Sequence, residues 1–500
     1  MNKFYVAFSI TFCLGVLTVL GFAPFYLFPV PVVTLALLFG FWRKSTTSRQ
    51  AAWLGFSYGM GMFGAGVSWI YVSLHDFGAM SMPVAVFALF LLCIYLALFP
   101  ALSGWILVRL RIISPVIWAL TAAALWTLSE WLRGSLFTGF PWLALGYSQV
   151  PFSPLAGFAP VLGAYGVSFI LVLSAAFLLL WLAQGLRTWR YVLPLGMVWL
   201  CGFYLQQVDW VQPFEKPVTV SLVQGNIAQD MKWREDHVLN TLETYAGLIL
   251  ESDSRLIVTP EISIPLFYDV VPPAYLEHLA MHAMRNDGDV LVGMIESAPD
   301  GSDAYYNTMF SFGSSANQHY RKHHLVPFGE FIPLKPLFGW IIEVLKIPLS
   351  DFSRGDLQQQ PMHVAGQRVA VNICYEDVFG EEIIGQLPQA TLLVNVSNDA
   401  WFGRSIGPQQ HLQISQMRAL ETARYMLRAT NTGVTAIINE RGIVQQEMPV
   451  FTTAALHGTA QGFTGATPYV RFGNSLILGL AGLLLLGGFL SVFRASQKTL

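Results

Sequence analysis

A thiol, a carboxylate and an amine each stand at the end of a short β-rich run. Cys374 follows Val369-Ala370-Val371-Asn372-Ile373, Glu261 follows Leu256-Ile257-Val258-Thr259-Pro260, and Lys322 follows Gln318-His319-Tyr320-Arg321. A thiol attacks as its anion, so it needs a base to take the proton or a cation to favour the thiolate. Glu261 supplies the first and Lys322 the second. The next residues, Tyr375-Glu376-Asp377-Val378-Phe379, read as a strand-to-helix turn whose N-terminus adds a third support for negative charge. Taken singly, each residue has a plainer explanation: Glu261 as a cap, Lys322 as a solvated charge, Cys374 as a small core residue. Together they form a nucleophile with its base and its cation.

Such groups must be brought together by the elements that carry them. From about Lys216, β-rich runs recur at Val218–Val223, Arg255–Thr259, Val290–Ile295, Thr308–Phe312, Val369–Ile373, Thr391–Val396 and Val434–Ile438. They alternate with helical stretches at Glu235–Leu250, Pro273–Arg285 and Pro408–Arg428. That alternation predicts a layered α/β domain, in which reactive groups gather where strands give way to loops.

The rest of the chain is of another kind. Hydrophobic residues make up 54% of the sequence and charged residues 12%, which moves the expectation to a membrane protein. Between Met1 and Gln206 the only acidic residues are Asp76 and Glu130. Apolar stretches around Tyr5–Phe22, Leu27–Trp42, Ala52–Leu74, Pro83–Val108, Pro115–Leu132, Ala159–Ala183, Tyr191–Leu205 and Asn474–Phe493 give about eight spans. The expected organisation is therefore a helical membrane domain over 1–210, a catalytic domain over 211–470, and a last span with a short tail over 471–500. Lys3, Arg43, Lys44, Arg49, Arg109, Arg111, Arg187, Arg190, Arg494 and Lys498 fall on one side of that alternation. The positive-inside rule makes that side cytoplasmic, with both termini inside and the α/β domain outside. Glu130, late in its span, reads as an interfacial pair with Arg133 one turn away.

Longer blocks surround the reactive residues: Pro260-Glu261, Arg321-Lys322-His323-His324-Leu325-Val326-Pro327-Phe328-Gly329-Glu330, and Asn372-Ile373-Cys374-Tyr375-Glu376-Asp377. They resemble, in order, the Glu-Lys-Cys blocks of the nitrilase (carbon-nitrogen hydrolase) superfamily. Asn395-Val396-Ser397-Asn398-Asp399-Ala400-Trp401-Phe402, Arg418 to Arg424 and Ala429 to Gly433 extend the likeness. With spans before and after, nearly the whole chain resembles the bacterial apolipoprotein N-acyltransferase family. That resemblance implies a multi-span transmembrane helix bundle carrying an αββα sandwich on the periplasmic side of the inner membrane. It implies transfer of an acyl chain from a membrane phospholipid to the N-terminal amine of an S-diacylglyceryl-cysteine apolipoprotein, through a thioester on Cys374, with Lys322 stabilising the oxyanion. It also assigns supporting roles to Glu330, Tyr375 and Glu376 and substrate-side roles to Trp233 and Trp401, although core packing accounts for the tryptophans equally well.

Phe331–Leu349, unusually apolar with Phe338 and Trp340 at its centre, reads as an arm resting on the membrane and gating lipid entry, with a buried core segment as the alternative. The chemistry requires neither metal nor cofactor, and His319, His323 and His324 alternate along a strand, a weak metal spacing. A net charge of -2 gives no footprint for nucleic acid, and a monomer is expected. Two rivals remain: a membrane-tethered nitrilase-type amidase using the same three residues, and a transporter with an appended domain. The second would require ionisable groups within several spans, which are nearly absent.

Overall fold

The computed structural model describes residues 2–184, 189–333 and 351–497. The chain forms two compact units. One comprises Met1–Tyr71, Met82–Val208 and Arg471–Leu500, the other Val72–Ser81 and Asp209–Val470.

The first unit is helical, and all eight apolar stretches lie in helices: Asn2–Thr18, Pro29–Lys44, Ser48–Gly66 with Trp69–Val72, Met82–Arg109, Pro115–Arg133, Ala159–Gln184, Trp189–Leu205 and Ser475–Gln497. Among the described residues, four regions are long and apolar enough to cross a membrane, Lys3–Gly21, Met82–Arg109, Pro154–Gln184 and Ser475–Val492. Large apolar side chains such as Phe87, Met197 and Leu483, the last 70% exposed, cover its surface, as a lipid solvent allows. Glycines let the first and third helices approach closely. A Cβ on Gly15 would lie 2.0 Å from Tyr58 O, and one on Gly61 would lie 2.1 Å from Phe12 O. Thr18 Oγ1 lies 2.7 Å from both Thr34 Oγ1 and Tyr58 OH, which satisfies these hydroxyls within the bundle.

Glu130 and Arg133 are both buried within the protein. Glu130 Oε1 accepts from Trp126 Nε1 and Leu145 N, each at 2.9 Å. Arg133 Nη1 donates to the carbonyls of Phe140 at 2.5 Å and Trp142 at 2.6 Å. The pair thus ties the end of its helix to the buried segment 140–145 by satisfying main-chain groups there.

The second unit contains strands β1 (Gln212–Gln224), β2 (Leu256–Val258), β3 (Asp289–Ser297), β4 (Tyr305–Gly313), β5 (His319–Arg321), β6 (Met362–Val364), β7 (Gln367–Ile373), β8 (Leu392–Ser397), β9 (Met426–Thr430), β10 (Ala436–Ile438), β11 (Val444–Glu447) and β12 (Ala454–Thr464). They form two six-stranded sheets, ordered β12-β1-β2-β3-β4-β5 and β11-β10-β9-β8-β7-β6. In each sheet three strands run parallel, β1, β2 and β3 in one and β7, β8 and β9 in the other, with antiparallel strands outside them.

Alternation along the strands builds four layers. Val220, Leu222, Leu256 and Val258 of the first sheet meet Val369, Val371, Ile373, Val394 and Val396 of the second in one buried cluster. The neighbouring positions point the other way. Ile257, Val290 and Val292 pack under the helices Glu235–Leu250 and Pro273–Arg285, while Ala370, Leu393 and Met426 pack under the helix Gly407–Thr422. The expected αββα sandwich is thus present.

The element limits differ from expectation in two ways. The helix expected to run from Pro408 to Arg428 ends at Thr422, because Ala423 takes a left-handed conformation (φ +50°) that turns the chain into β9. No glycine or proline marks that stop. Strands β6, β11 and β12 also escaped the sequence pattern. They lie at or next to sheet edges, where one-sided burial needs no apolar run.

Candidate active site

Glu261, Lys322 and Cys374 each lie just beyond the C-terminal end of a strand, β2, β5 and β7 respectively. Lys322 is 1% exposed, and its Nζ donates to Glu261 Oε1 at 3.0 Å and to Glu330 Oε1 at 2.8 Å. The second oxygen of Glu261 accepts from Asn398 N at 3.0 Å, beyond the end of β8. Asn307 Nδ2, on β4, donates to Glu261 Oε1 at 2.8 Å and to Glu330 Oε1 at 3.3 Å. A buried ammonium is thus shared by two carboxylates whose lone pairs are held by amide donors, the arrangement a buried charge needs.

These contacts set the ionisation of each group. Burial pushes the Glu261 carboxyl up, but Lys322, Lys232 and the donated hydrogen bonds outweigh it and hold it below the usual carboxylate range. Burial works against the Lys322 ammonium, yet Glu261, Glu330 and the Cys374 sulfur hold it well above its ordinary value. For Cys374, burial pushes the thiol well up and the Glu261 carboxylate adds to this, while Lys322 only partly offsets them. The expectation of a favoured thiolate is therefore corrected. The resting state is a thiol facing an ionised Glu261, and the anion forms only as the proton leaves.

The local backbone explains part of this. Cys374 opens a five-residue 3-10 turn, Cys374–Val378, instead of a regular helix, so the helix terminus that was to favour an anion is missing. Its φ of +56° lies in the left-handed region, costly for a residue with a Cβ, and such strain persists only where neighbours fix it. Its carbonyl accepts from Asn395 Nδ2 at 3.4 Å and lies 3.3 Å from His411 Nε2. On the other side, the Glu376 carboxylate accepts from Ile373 N at 2.7 Å, His323 N at 2.7 Å, His324 N at 3.1 Å and Tyr320 OH at 3.1 Å. One side chain thereby ties the nucleophile's loop to the loop carrying Lys322. Burial pushes its pKa up to about 7, against the pull of those main-chain N–H groups.

Glu376→Ala should leave these main-chain donors without an acceptor, at about 1–3 kcal/mol for each buried group. The melting temperature in a detergent thermal scan should fall by at least about 4 °C. An unchanged melting temperature would mean that the two loops hold without this anchor.

Beneath Cys374 lies a second buried network. Asp399 Oδ1 accepts from Ser397 Oγ at 2.6 Å and lies 3.0 Å from His411 Nδ1, while Asp399 Oδ2 accepts from Arg428 Nη2 at 2.7 Å. Burial would raise the Asp399 carboxyl, but Arg428 and His411 hold it well below its ordinary value. Asp377 joins the network through Ser415.

The remaining expected residues divide into those at the cluster and those apart from it. Glu330, Tyr375 and Glu376 lie with the cluster, Tyr375 being buried with its ring 5.8 Å from His324 and 5.3 Å from Phe379. Trp233 is half-buried against Ile262, Ile295, Leu325 and Phe352. The Trp401 carbonyl accepts from Ser73 Oγ at 2.7 Å, and its ring meets Phe77 edge-on at 6.1 Å. Phe338 and Trp340 lie outside the described residues, as does most of the expected arm. Lys232, Asn307, Asn398 and His411 were not anticipated. Asn398 stood within a quoted block, but the others belong to segments with no reactive pattern of their own.

Comparison with known proteins follows the same division. Residues 219–467 match the carbon-nitrogen hydrolase family and residues 14–177 the apolipoprotein N-acyltransferase N-terminal domain. The second unit is accordingly a carbon-nitrogen hydrolase domain, the class its two-sheet sandwich and strand-end site define. An apolipoprotein N-acyltransferase of Nitrosomonas europaea is 67% identical over 98% of this chain and 98% of its own length. Proteins of the same name from Chromobacterium violaceum and Methylococcus capsulatus are 44% and 43% identical, over 97% and 93% of this chain and 93% and 92% of theirs. A solved NitFhit protein of C. elegans is alike over 51% of this chain and 62% of its own, with 14% identity and a TM-score of 0.37, too distant to bear on function. The chain belongs to the apolipoprotein N-acyltransferase family.

Proposed function

We propose that Glu261, Lys322 and Cys374 carry out N-acylation of apolipoprotein in two half-reactions. The observation that carries this reading is the Glu261 carboxylate, held ionised by Lys322 beside a protonated Cys374. In the first half, Glu261 takes the thiol proton as the sulfur attacks the acyl ester of a membrane phospholipid. The S–C bond forms, the negative charge on the carbonyl oxygen is met by the Lys322 ammonium, and the ester C–O bond breaks. The lysophospholipid leaves with the proton from Glu261. In the second half, the free α-amine of a diacylglyceryl-cysteine lipoprotein attacks the thioester. The N–C bond forms and the C–S bond breaks, while Glu261 passes the amine proton to the departing thiolate.

The test is mass spectrometry of a synthetic diacylglyceryl lipopeptide incubated with phospholipid and purified protein. Gain of one acyl group on the N-terminal amine supports transfer. Release of free fatty acid with an unchanged lipopeptide would point to hydrolysis and overturn it.

The placement proposed for this chemistry is the inner membrane, with both termini cytoplasmic, the helical unit spanning repeatedly and the carbon-nitrogen hydrolase domain periplasmic. The basic residues around Arg43, Arg109 and Arg190, against the acid-poor spans, support it. Alkaline phosphatase fused after Gln206 should be active. A fluorescent protein at the same point, working only in the cytoplasm, should stay dark, and its fluorescence would overturn the orientation.

A further inference from the structure

Two lysines are buried at the site, and the three-residue chemistry uses one of them. Lys232 is 5% exposed, and its Nζ donates to the main-chain carbonyl of Glu261 at 3.2 Å. The ammonium also lies 5.9 Å from the centre of the Trp233 ring. An ammonium carries three donors and loses strong hydration when buried, so one carbonyl and one aromatic face compensate it poorly. Buried charges in this condition concentrate where they serve a reaction.

We propose that Lys232 is the second cation of the active site, a positioning residue that clamps the main chain of Glu261 and keeps positive charge beside the reacting thiol. This rests on the reading of Glu261 as base and Cys374 as nucleophile. The charges support it. Glu261 and Glu330 are bonded to one ammonium, that of Lys322, and Lys232 supplies the fourth charge that balances the set. When the thiol proton moves to Glu261, negative charge passes to sulfur and then to the ester oxygen. Lys232 faces that charge, since Glu261 and the Cys374 sulfur are the two groups whose anions favour its protonated form. Without Lys232 the cluster carries a net negative charge, the carboxyl of Glu261 is less firmly ionised and its backbone loses an anchor.

The ammonium is also breakable within an accessible pH range. Burial pushes Lys232 down to about 8, against the pull of Glu261 and Cys374. The groups bearing on it are Glu261 beyond β2 and Cys374 beyond β7, while Lys322, from the segment beyond β5, is paired with that same Glu261 and with Glu330. Asp230 and Arg234 of its own segment are exposed.

The experiment measures acylation alone. Full-length protein in detergent is mixed with phosphatidylglycerol bearing a labelled acyl chain, without acceptor, and the first-order rate of protein labelling is followed from pH 6 to 9.5. The wild-type rate should fall as pH rises through about 8. Lys232→Met should label on the order of 100-fold more slowly at pH 7 and show no such fall. Lys232→Arg, whose guanidinium keeps its charge, should recover much of the neutral rate and hold it to higher pH. Labelling of Lys232→Met at the wild-type rate would overturn the proposal. So would equal slowing of both variants with the wild-type pH profile intact, because a merely structural lysine behaves that way. Cys374→Ala serves as the control. If it acquired label normally, the reading of the nucleophile would fall and the Lys232 proposal with it, whereas an inert control beside a normal Lys232→Met sinks the lysine alone.

Discussion

Cys374→Ala should acquire no acyl label from phospholipid and should transfer none to a lipopeptide, a loss of at least about 1000-fold. The reason is positional as much as chemical. Cys374 sits at φ +56° beyond β7, its loop fixed by Glu376 on one side and its carbonyl by Asn395 and His411 on the other. The other cysteines, Cys13, Cys93 and Cys201, lie in helices of the other unit. In the wild type without acceptor, the thioester should accumulate and be released by neutral hydroxylamine, and addition of lipopeptide should discharge it. Cys374→Ser should take up label slowly and hold it as a hydroxylamine-resistant ester. Transfer by Cys374→Ala at the wild-type rate would exclude a covalent intermediate on this residue.

Glu261→Gln should slow acylation by about 100- to 10,000-fold, the range lost with a general base. The substitution keeps the shape but not the charge. A glutamine oxygen can still accept from Asn398 N, but an amide has no proton-accepting power near neutrality and brings N–H donors into a site already supplied by Lys322 and Asn307. The pH profile separates this base from an unaided thiol. A free thiol gains about tenfold in thiolate per pH unit below its pKa near 8.5. Here Glu261 is held below its ordinary value of 4.5 and the thiol well above 9.0, so the reactive pair persists between those limits. The wild-type acylation rate should change by less than about twofold between pH 6 and 7.5. A tenfold rise per unit would show that pre-formed thiolate is the attacking species and that Glu261 takes no proton. The same shift has a consequence for stability. A carboxyl depressed by folding contributes stability above its unfolded value, and that contribution is lost as pH falls through the folded value. Glu261 should therefore weaken the domain only below about pH 4.5.

The site was partly legible because Glu261 and Cys374 follow apolar β runs, and such runs fix both the strand and the place where it stops, while Lys322 follows a short polar one. Lys232 gave no comparable signal. It sits in a loop between Met231 and Trp233, and its importance arises from contact with a carbonyl 29 positions further along. The same holds for Asn307, 46 positions from the carboxylate it serves. The direction of the thiol's shift was misread for a related reason. Sequence shows which charges lie near in the chain, whereas burial depends on what the whole sandwich excludes.

What the sequence determined alone are the features that depend on local composition. Uninterrupted apolar stretches became helices because main-chain groups in an apolar solvent must bond within their own segment. Near-continuous apolar runs similarly committed β7 and β8 to two-sided burial. What the tertiary structure decided are the features produced by the meeting of distant segments. These include the antiparallel edges β6, β11 and β12, the buried Glu130 and Arg133, the three donors to the Glu261 carboxylate, and the protonated resting state of Cys374. Each depends on desolvation and on partners far apart in the chain, and the dielectric surroundings of a residue are a property of the packed core, not of its neighbours in sequence.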